Sequence, residues 1–145
     1  MSMHHGSCHC GAVQFDVDID LENLATCNCS LCGRSGALMA FLPAEKVQNV
    51  VGRETMTDYQ FGKKHLHHAF CATCGVRPIA WGPGEDGRDW MMVNARCLEG
   101  VDVHTLKVAK QYDGRSLPHT VDAITPFIRT STAPPLRAAV SRRVG

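Results

Sequence analysis

Seven of the eight cysteines in this 145-residue chain fall into three short clusters. The clusters contain Cys8 and Cys10, then Cys27, Cys29 and Cys32, and finally Cys71 and Cys74. A closed structural zinc site takes four protein ligands, whereas a catalytic zinc site usually takes three and leaves the fourth position open. The cysteine count therefore predicts two zinc ions per chain, one in a saturated site and one in an unsaturated site.

The remaining features of the sequence favour zinc over disulfides. The amino terminus lacks the basic and apolar segments of a secretory signal, and no run reaches the roughly 18 apolar residues that span a bilayer. We therefore expect a cytoplasmic protein, in which thiols stay reduced and clustered cysteines bind metal. A redox role for a Cys-x-x-Cys pair is the alternative, but the βαβ pattern that accompanies such motifs is missing.

The charge balance limits the class of partner. The chain carries 15 Lys and Arg against 14 Asp and Glu, a formal net charge of +1. This balance produces no field that would attract nucleic acid or an anionic membrane. We expect a small or specific partner and a single domain, and the sequence leaves the oligomeric state open.

Apolar and polar residues alternate in several short segments, which is typical of half-buried strands. The strands are predicted at 12–18, 37–42, 47–51, 55–61, 65–70, 78–81 and 89–94. A short helical turn is predicted at 43–46 after Pro43, and long helices are not expected. The segment 100–110 is compatible with either a helix or a strand. The sequence thus predicts a mainly β domain over residues 1–116.

Residues 117–145 have a different composition and are predicted to form a C-terminal extension. The segment contains four prolines and ends in a run with Arg137, Arg142 and Arg143 and no acidic residue after Asp122. One interpretation is a basic segment that binds an acidic partner. We favour the other, an extension that covers an edge strand or has no fixed structure.

The two outer cysteine pairs predict the saturated site. In a strand, Cys8 and Cys10 would point to the same face and offer both sulfurs to one metal. Cys71 and Cys74 have the spacing of a metal-binding turn, and Gly75 accepts the backbone conformation that follows such a turn. We expect these four thiolates to hold a structural zinc that links the start of the chain to its middle.

The central triplet predicts the unsaturated site. Cys27, Cys29 and Cys32 are three ligands within six residues. Three thiolates give a zinc ion a net charge of minus one, so the site suits the binding of an external thiol better than the activation of water. The triplet could instead recruit a protein ligand and become structural; the candidates are Cys97, His65, His67 and His68. Cys97 is interpreted as a small buried residue and the histidines as surface or hydrogen-bonding residues.

The residues around the three clusters resemble a known family. The segments 6–15, 27–32 and 70–75 are similar to the motifs of the glutathione-dependent formaldehyde-activating (GFA) family, which shares its domain with centromere protein V. The resemblance extends over about residues 6–113. It implies an Mss4-like zinc-binding fold of small antiparallel sheets with few short helices. It also implies a structural zinc on Cys8, Cys10, Cys71 and Cys74, and a catalytic zinc on Cys27, Cys29 and Cys32.

The activity that the resemblance implies is the condensation of formaldehyde with glutathione to S-hydroxymethylglutathione, a carbon-sulfur lyase reaction. By hypothesis, the thiol of glutathione takes the open zinc position, loses its proton and attacks formaldehyde. The carboxylates of glutathione need cationic donors, and Arg34 is the first candidate, followed by Lys63, Lys64 and Arg77. The alternative function is a non-catalytic zinc module, or a glutathione carrier, with a protein partner.

Overall fold

The computed structural model describes residues 2–116, which form short strands and short helices. The strands are β1 (Ser2–Ser7), β2 (Gln14–Ile19), β3 (Leu24–Cys27), β4 (Met39–Pro43), β5 (Val47–Val51), β6 (Met56–Thr57), β7 (Phe70–Cys71), β8 (Ile79–Pro83), β9 (Asp89–Asn94) and β10 (Val108–Tyr112). The α-helix in this part of the chain is α1 (Cys32–Ser35), and 3-10 turns lie at Ala44–Lys46, Arg53–Thr55, Ala95–Cys97, Val103–Thr105 and Gly114–Ser116. The predicted mainly β class is confirmed. The predicted extension at 117–145 lies outside the described residues.

Residues 2–116 contain three sheets. Strands β1, β2 and β5 form one sheet, β6 pairs with β7, and the largest sheet has the order β10-β3-β4-β9-β8. All strand pairs are antiparallel except β10 and β3, which run parallel. The expected small antiparallel sheets are thus confirmed, and the one parallel pair arises because the chain returns to β10 through the 98–107 segment instead of a hairpin.

The main hydrophobic core takes side chains from both larger sheets. In β2 the buried residues alternate with half-exposed polar ones, as the sequence pattern predicted. The core residues are Phe15, Val17, Ile19, Leu24, Leu38, Ala40, Val47, Ile79, Met91, Val93, Ala95 and Leu98. This core occupies one face of the five-stranded sheet. A second, smaller apolar cluster lies on the alternate side chains of β4, β8 and β9, which places it on the opposite face.

The structure confirms most of the predicted strands and corrects two. Those at 47–51 and 89–94 are β5 and β9, and those at 12–18, 37–42 and 78–81 are β2, β4 and β8 with bounds shifted by about two residues. The predicted turn after Pro43 is the 3-10 turn Ala44–Lys46. The open segment 100–110 holds the turn Val103–Thr105 and the start of β10.

The strands predicted at 55–61 and 65–70 are wrong over most of their length. Only Met56–Thr57 and Phe70–Cys71 are strand residues. The chain between them is held by other contacts: His68 N donates to Tyr59 O at 2.9 Å, and His67 forms an isolated bridge with Trp81. His65 and His67 are therefore not neighbours on one strand face.

Strands β1 and β3 had no sequence signal. The β1 side chains are exposed or half-exposed except for buried Gly6, so this edge strand lacks the apolar alternation that reveals a strand. Its backbone pairs with β2 along the whole strand, from Ser2 opposite Ile19 to Ser7 opposite Gln14. Strand β3 has four residues, which is too short for a periodic pattern.

One end of the five-stranded sheet collects the chain segments that carry cysteines. Strands β3, β10 and β9 end there, and β4 and β8 begin there, as the strand directions and registers require. We call this the cysteine end of the sheet. Helix α1 connects β3 to β4 at this end, and the Cys71–Cys74 turn leads into β8. No helix within residues 2–116 has the length and hydropathy needed to cross a membrane.

Candidate metal centres

The two outer cysteine pairs meet in space. The sulfur atoms of Cys8, Cys10, Cys71 and Cys74 all lie within 4.8 Å of one another. Cys10 Sγ is 3.7 Å from Cys8 Sγ and 3.6 Å from Cys71 Sγ. A tetrahedral zinc with Zn–S bonds of about 2.3 Å separates its sulfurs by about 3.8 Å. These four side chains therefore have the spacing of a tetrahedral thiolate site.

A tight turn brings Cys8 and Cys10 together, so the predicted strand geometry for this pair was wrong. Strand β1 ends at Ser7, and Gly11 N donates to Cys8 O at 3.2 Å. The second pair follows the prediction: Gly75 N donates to Cys71 O at 2.9 Å, and Gly75 has a φ of 77°, which glycine adopts without strain.

Backbone amides point at the sulfurs of this cluster. Val13 N donates to Cys8 Sγ at 3.3 Å, and Cys74 N donates to Cys71 Sγ at 3.5 Å. The amides of Val76 and Cys10 lower the pKa of Cys74 to about 6. Amide donors stabilise thiolates over thiols, so the local backbone favours the form of cysteine that binds metal.

The central triplet forms a second cluster at the cysteine end of the sheet. The sulfurs of Cys27, Cys29 and Cys32 all lie within 4.8 Å of one another. Cys27 ends β3, Cys32 begins α1, and Gly33 N donates to Cys29 O at 2.8 Å. Amide donors again serve the sulfurs, from Cys29 N to Cys27 Sγ at 3.4 Å and from Cys32 N to Cys29 Sγ at 3.3 Å.

The three sulfurs compete for negative charge. The pKa of Cys29 is lowered because its sulfur accepts from the thiols of Cys27 and Cys32 and from backbone amides. The pKa of Cys32 is raised by its contacts with the other two sulfurs and by burial, and that of Cys27 is raised mainly by Cys29. The cluster thus accommodates one thiolate readily, and a divalent cation among the sulfurs would allow all three to ionise.

The turn after β10 packs against the triplet. Asn28 connects the two: its Nδ2 donates to Asp113 Oδ1 at 2.9 Å, and its Oδ1 accepts from Arg115 N at 3.0 Å. Ser116 Oγ donates to the buried Asp113 carboxylate at 2.6 Å. Gly114 lies so close that a Cβ atom there would be 2.6 Å from Cys27 Sγ. Sequence reasoning missed these residues, because they are distant from the triplet in the chain.

An apolar layer lies beneath the triplet. The side chains of Cys27, Cys32 and Phe41 pack against a buried cluster formed by Ala37, Met39, Ala80 and Met92. Phe41 also contacts Tyr112 edge to face, with ring centroids 5.5 Å apart. The sulfurs therefore have an apolar sheet face on one side and the 113–116 turn against Cys27.

Residues 2–116 provide no fourth ligand for the triplet. Within residues 2–116, no other Cys, His, Asp or Glu belongs to this cluster. Cys97 lies near the other cluster, where burial, together with the charges of Cys8 and Cys74, raises its pKa to about 11. His67 contacts Asp58 at 2.7 Å and stacks on Trp81, while His68 stacks on Phe61. These three residues therefore occupy other environments, and His65 is not a member of the cluster either.

The cationic candidates have different surroundings. Arg34 is exposed on α1, and its Nη1 donates to Ser30 O at 2.8 Å within the triplet loop. Lys63 and Lys64 are exposed in the turn after Phe61. Arg77 is half-buried, and the charges of Cys32 and Cys29 act on its guanidinium. Of the four, the electrostatic environment links Arg77 most directly to the triplet.

The comparisons with known proteins agree with this geometry. The family model for the glutathione-dependent formaldehyde-activating enzyme matches residues 3–112, which include all seven clustered cysteines. The chain is also similar to a Rhodobacter sphaeroides protein of known crystal structure, a structural genomics target, with 34% sequence identity and a TM-score of 0.64. That similarity covers 74% of this chain and 98% of the Rhodobacter protein. The chain therefore belongs to the glutathione-dependent formaldehyde-activating enzyme family.

Proposed function

We propose that this protein is a zinc enzyme that condenses formaldehyde with glutathione to S-hydroxymethylglutathione, a reaction of the carbon-sulfur lyase class. One observation carries the proposal: the triplet of sulfurs has no fourth ligand within residues 2–116, in a chain of this family. A metal held by three ligands keeps a position for an exogenous group. A thiolate-rich site favours a thiol at that position.

The two clusters have the chemistry that zinc requires. Zinc prefers sulfur and nitrogen ligands in tetrahedral geometry, and the sulfur separations of the outer pairs fit that geometry. We assign a structural zinc to Cys8, Cys10, Cys71 and Cys74. We assign the catalytic zinc to Cys27, Cys29 and Cys32, whose sulfur atoms lie close enough together to bind one cation.

The residues around the triplet have separate tasks in this proposal. Bound zinc would supply a position at which the thiol of glutathione ionises. Amides of the loop hold the sulfurs, and Asn28 fixes the loop to the 113–116 turn. The apolar layer under Cys27 and Cys32 limits water on one side. Holding thiol and formaldehyde side by side then supplies much of the rate, because it removes the entropy cost of their encounter.

Glutathione is the proposed partner, and its carboxylates need cationic donors. Arg34 is exposed at the edge of the triplet loop and is proposed to contact one of them. We further propose a cytoplasmic location, where glutathione is abundant and thiols are reduced, with no nucleic-acid or membrane partner.

The test combines metal analysis with NMR exchange spectroscopy of formaldehyde and glutathione. We expect two zinc ions per chain and an exchange rate above that of the buffer. Cys29→Ser should abolish the added rate and lower the zinc content by one. Cys97→Ser is the matched control, since Cys97 belongs to neither cluster, and it should keep both zinc ions and the rate.

Two outcomes contradict the enzyme. A single zinc ion per chain excludes the open site, and two zinc ions without added exchange exclude catalysis. In the second case, glutathione binding measured by calorimetry distinguishes a glutathione carrier from a non-catalytic zinc module that has a protein partner.

A further inference from the structure

Arg77 follows the outer cysteine cluster in sequence, and the charges of Cys32 and Cys29 in the triplet act on its guanidinium. It follows Cys74 by three residues and directly precedes Pro78 and β8. Asn94 at the end of β9 fixes this segment, because its Nδ2 donates to Arg77 O at 3.3 Å and its N donates to Pro78 O at 2.9 Å. The backbone of Arg77 is therefore held at a defined point beside the sheet.

The strand register places Arg77 at the cysteine end. Asn94 lies opposite Met39 at the start of β4, and Met39 lies opposite Ala25 in β3. Strand β3 continues from Ala25 to Cys27 at the same end of the sheet. Arg77 and the triplet thus both lie at the cysteine end of the sheet. Helix α1 lies at the same end, in the connection from β3 to β4.

The guanidinium of Arg77 is partly withdrawn from water, and one of its nitrogen atoms has no hydrogen-bond partner among the described residues. This atom, Nε, is fully buried. Burial lowers the pKa of Arg77, and the charges of Cys32 and Cys29 oppose this effect. A buried polar group of a charged side chain is costly when unpaired, so such a group calls for a functional explanation.

We propose that Arg77 is a positioning residue that stabilises an anionic thiolate at the fourth coordination position of the triplet metal. This inference rests on the proposed function and deepens it, because it names the ligand class: thiols that bind as anions. Three thiolates leave a divalent metal with a charge of minus one, and a fourth makes it minus two. The charge of the Arg77 guanidinium interacts with Cys32 and Cys29 and would offset one unit of this negative charge.

The test uses the full chain loaded with Co²⁺ at both sites and follows the absorption of new cobalt–thiolate bonds during titration. The two probes are glutathione and 2-mercaptoethanol, which has no carboxylate. We expect Arg77→Gln to weaken the binding of both thiols by about tenfold, which is the lower range for a contact to a charged group. Arg77→Lys should restore part of the affinity because it keeps the charge.

Arg88→Gln is the matched control. Arg88 pairs with Asp86 in the loop between β8 and β9, at the opposite end of the sheet, with Nε to Oδ2 at 2.8 Å. It should bind both thiols with unchanged affinity. A cobalt content of two per chain in Arg77→Gln shows that the fold and both sites are intact.

Two results overturn the inference alone: unchanged affinity for both thiols in Arg77→Gln, or weakened binding of glutathione only, which assigns Arg77 to a carboxylate. If the wild-type protein binds neither thiol at the metal, the inference and the proposed function both fail. Loss of cobalt from Arg77→Gln, but not from Arg77→Lys, would show that the charge of Arg77 stabilises metal binding and not thiol binding. This result would also overturn the inference.

Discussion

Gly114→Ala tests whether the turn after β10 is part of the triplet site. The new Cβ would lie 2.6 Å from Cys27 Sγ and 2.9 Å from Cys29 Cβ, whereas ordinary contacts begin near 3.4 Å. The turn or the cysteine loop must therefore move by roughly 1 Å, and overpacking of this kind costs about 1–3 kcal/mol. If the movement of Cys27 relieves this strain, zinc affinity at the triplet falls about 5-fold to about 150-fold.

The assay is competition with a chromophoric zinc chelator, which distinguishes a weakly bound from a tightly bound zinc ion in one titration. In Gly114→Ala, only the zinc affinity of the triplet should fall, because the clash involves no residue of the outer cluster. The matched control is Gly33→Ala in α1, where the nearest atom to the new Cβ is Asn28 O at 3.7 Å, an ordinary contact. This variant should retain both affinities.

Equal zinc affinities for Gly114→Ala and the wild type would refute the reasoning, since they would show that the turn yields without displacing Cys27. A parallel loss of both zinc ions would also refute it, because the effect would then be general unfolding. Thermal denaturation of the zinc-loaded variants separates local from global effects.

Two further predictions follow from the outer cluster and from β1. Cys74→Ser should lower the zinc content by one and reduce the melting temperature, because a metal bound by this cluster would join the end of β1 to the Cys71–Cys74 turn. An unchanged melting temperature by calorimetry would show that the site does not stabilise the fold. The hydrogen bond from His5 to Asp16 at 2.8 Å raises the pKa of His5 above its usual 6.5, so the pair's contribution to stability is present below that value and is lost as pH rises through the raised pKa. Asp16→Asn should move the NMR titration of His5 to lower pH, and an unchanged titration would contradict the assignment.

The local pattern predicted those strands that bury one face. Strand β2 alternates apolar core residues with polar ones, and β9 is apolar enough to be recognised although both of its faces are covered. Strand β1 could not be recognised because its stability comes from backbone pairing with β2, which leaves no apolar pattern in the side chains. The predicted strands at 55–61 and 65–70 were wrong over most of their length because their residues suit a strand, yet His67 contacts Asp58 and stacks on Trp81 through its side chain.

The sequence by itself determined the division of the seven clustered cysteines into four and three, because ligand number and spacing are local properties that survive without knowledge of the fold. The tertiary structure alone decided what surrounds each cluster. Asn28 donates a hydrogen bond to Asp113, which is 85 residues away in sequence. The register of β9, β4 and β3 places Arg77 at the same end of the sheet as the triplet. Such contacts depend on strand pairing and chain direction, which a linear pattern of residue types does not specify.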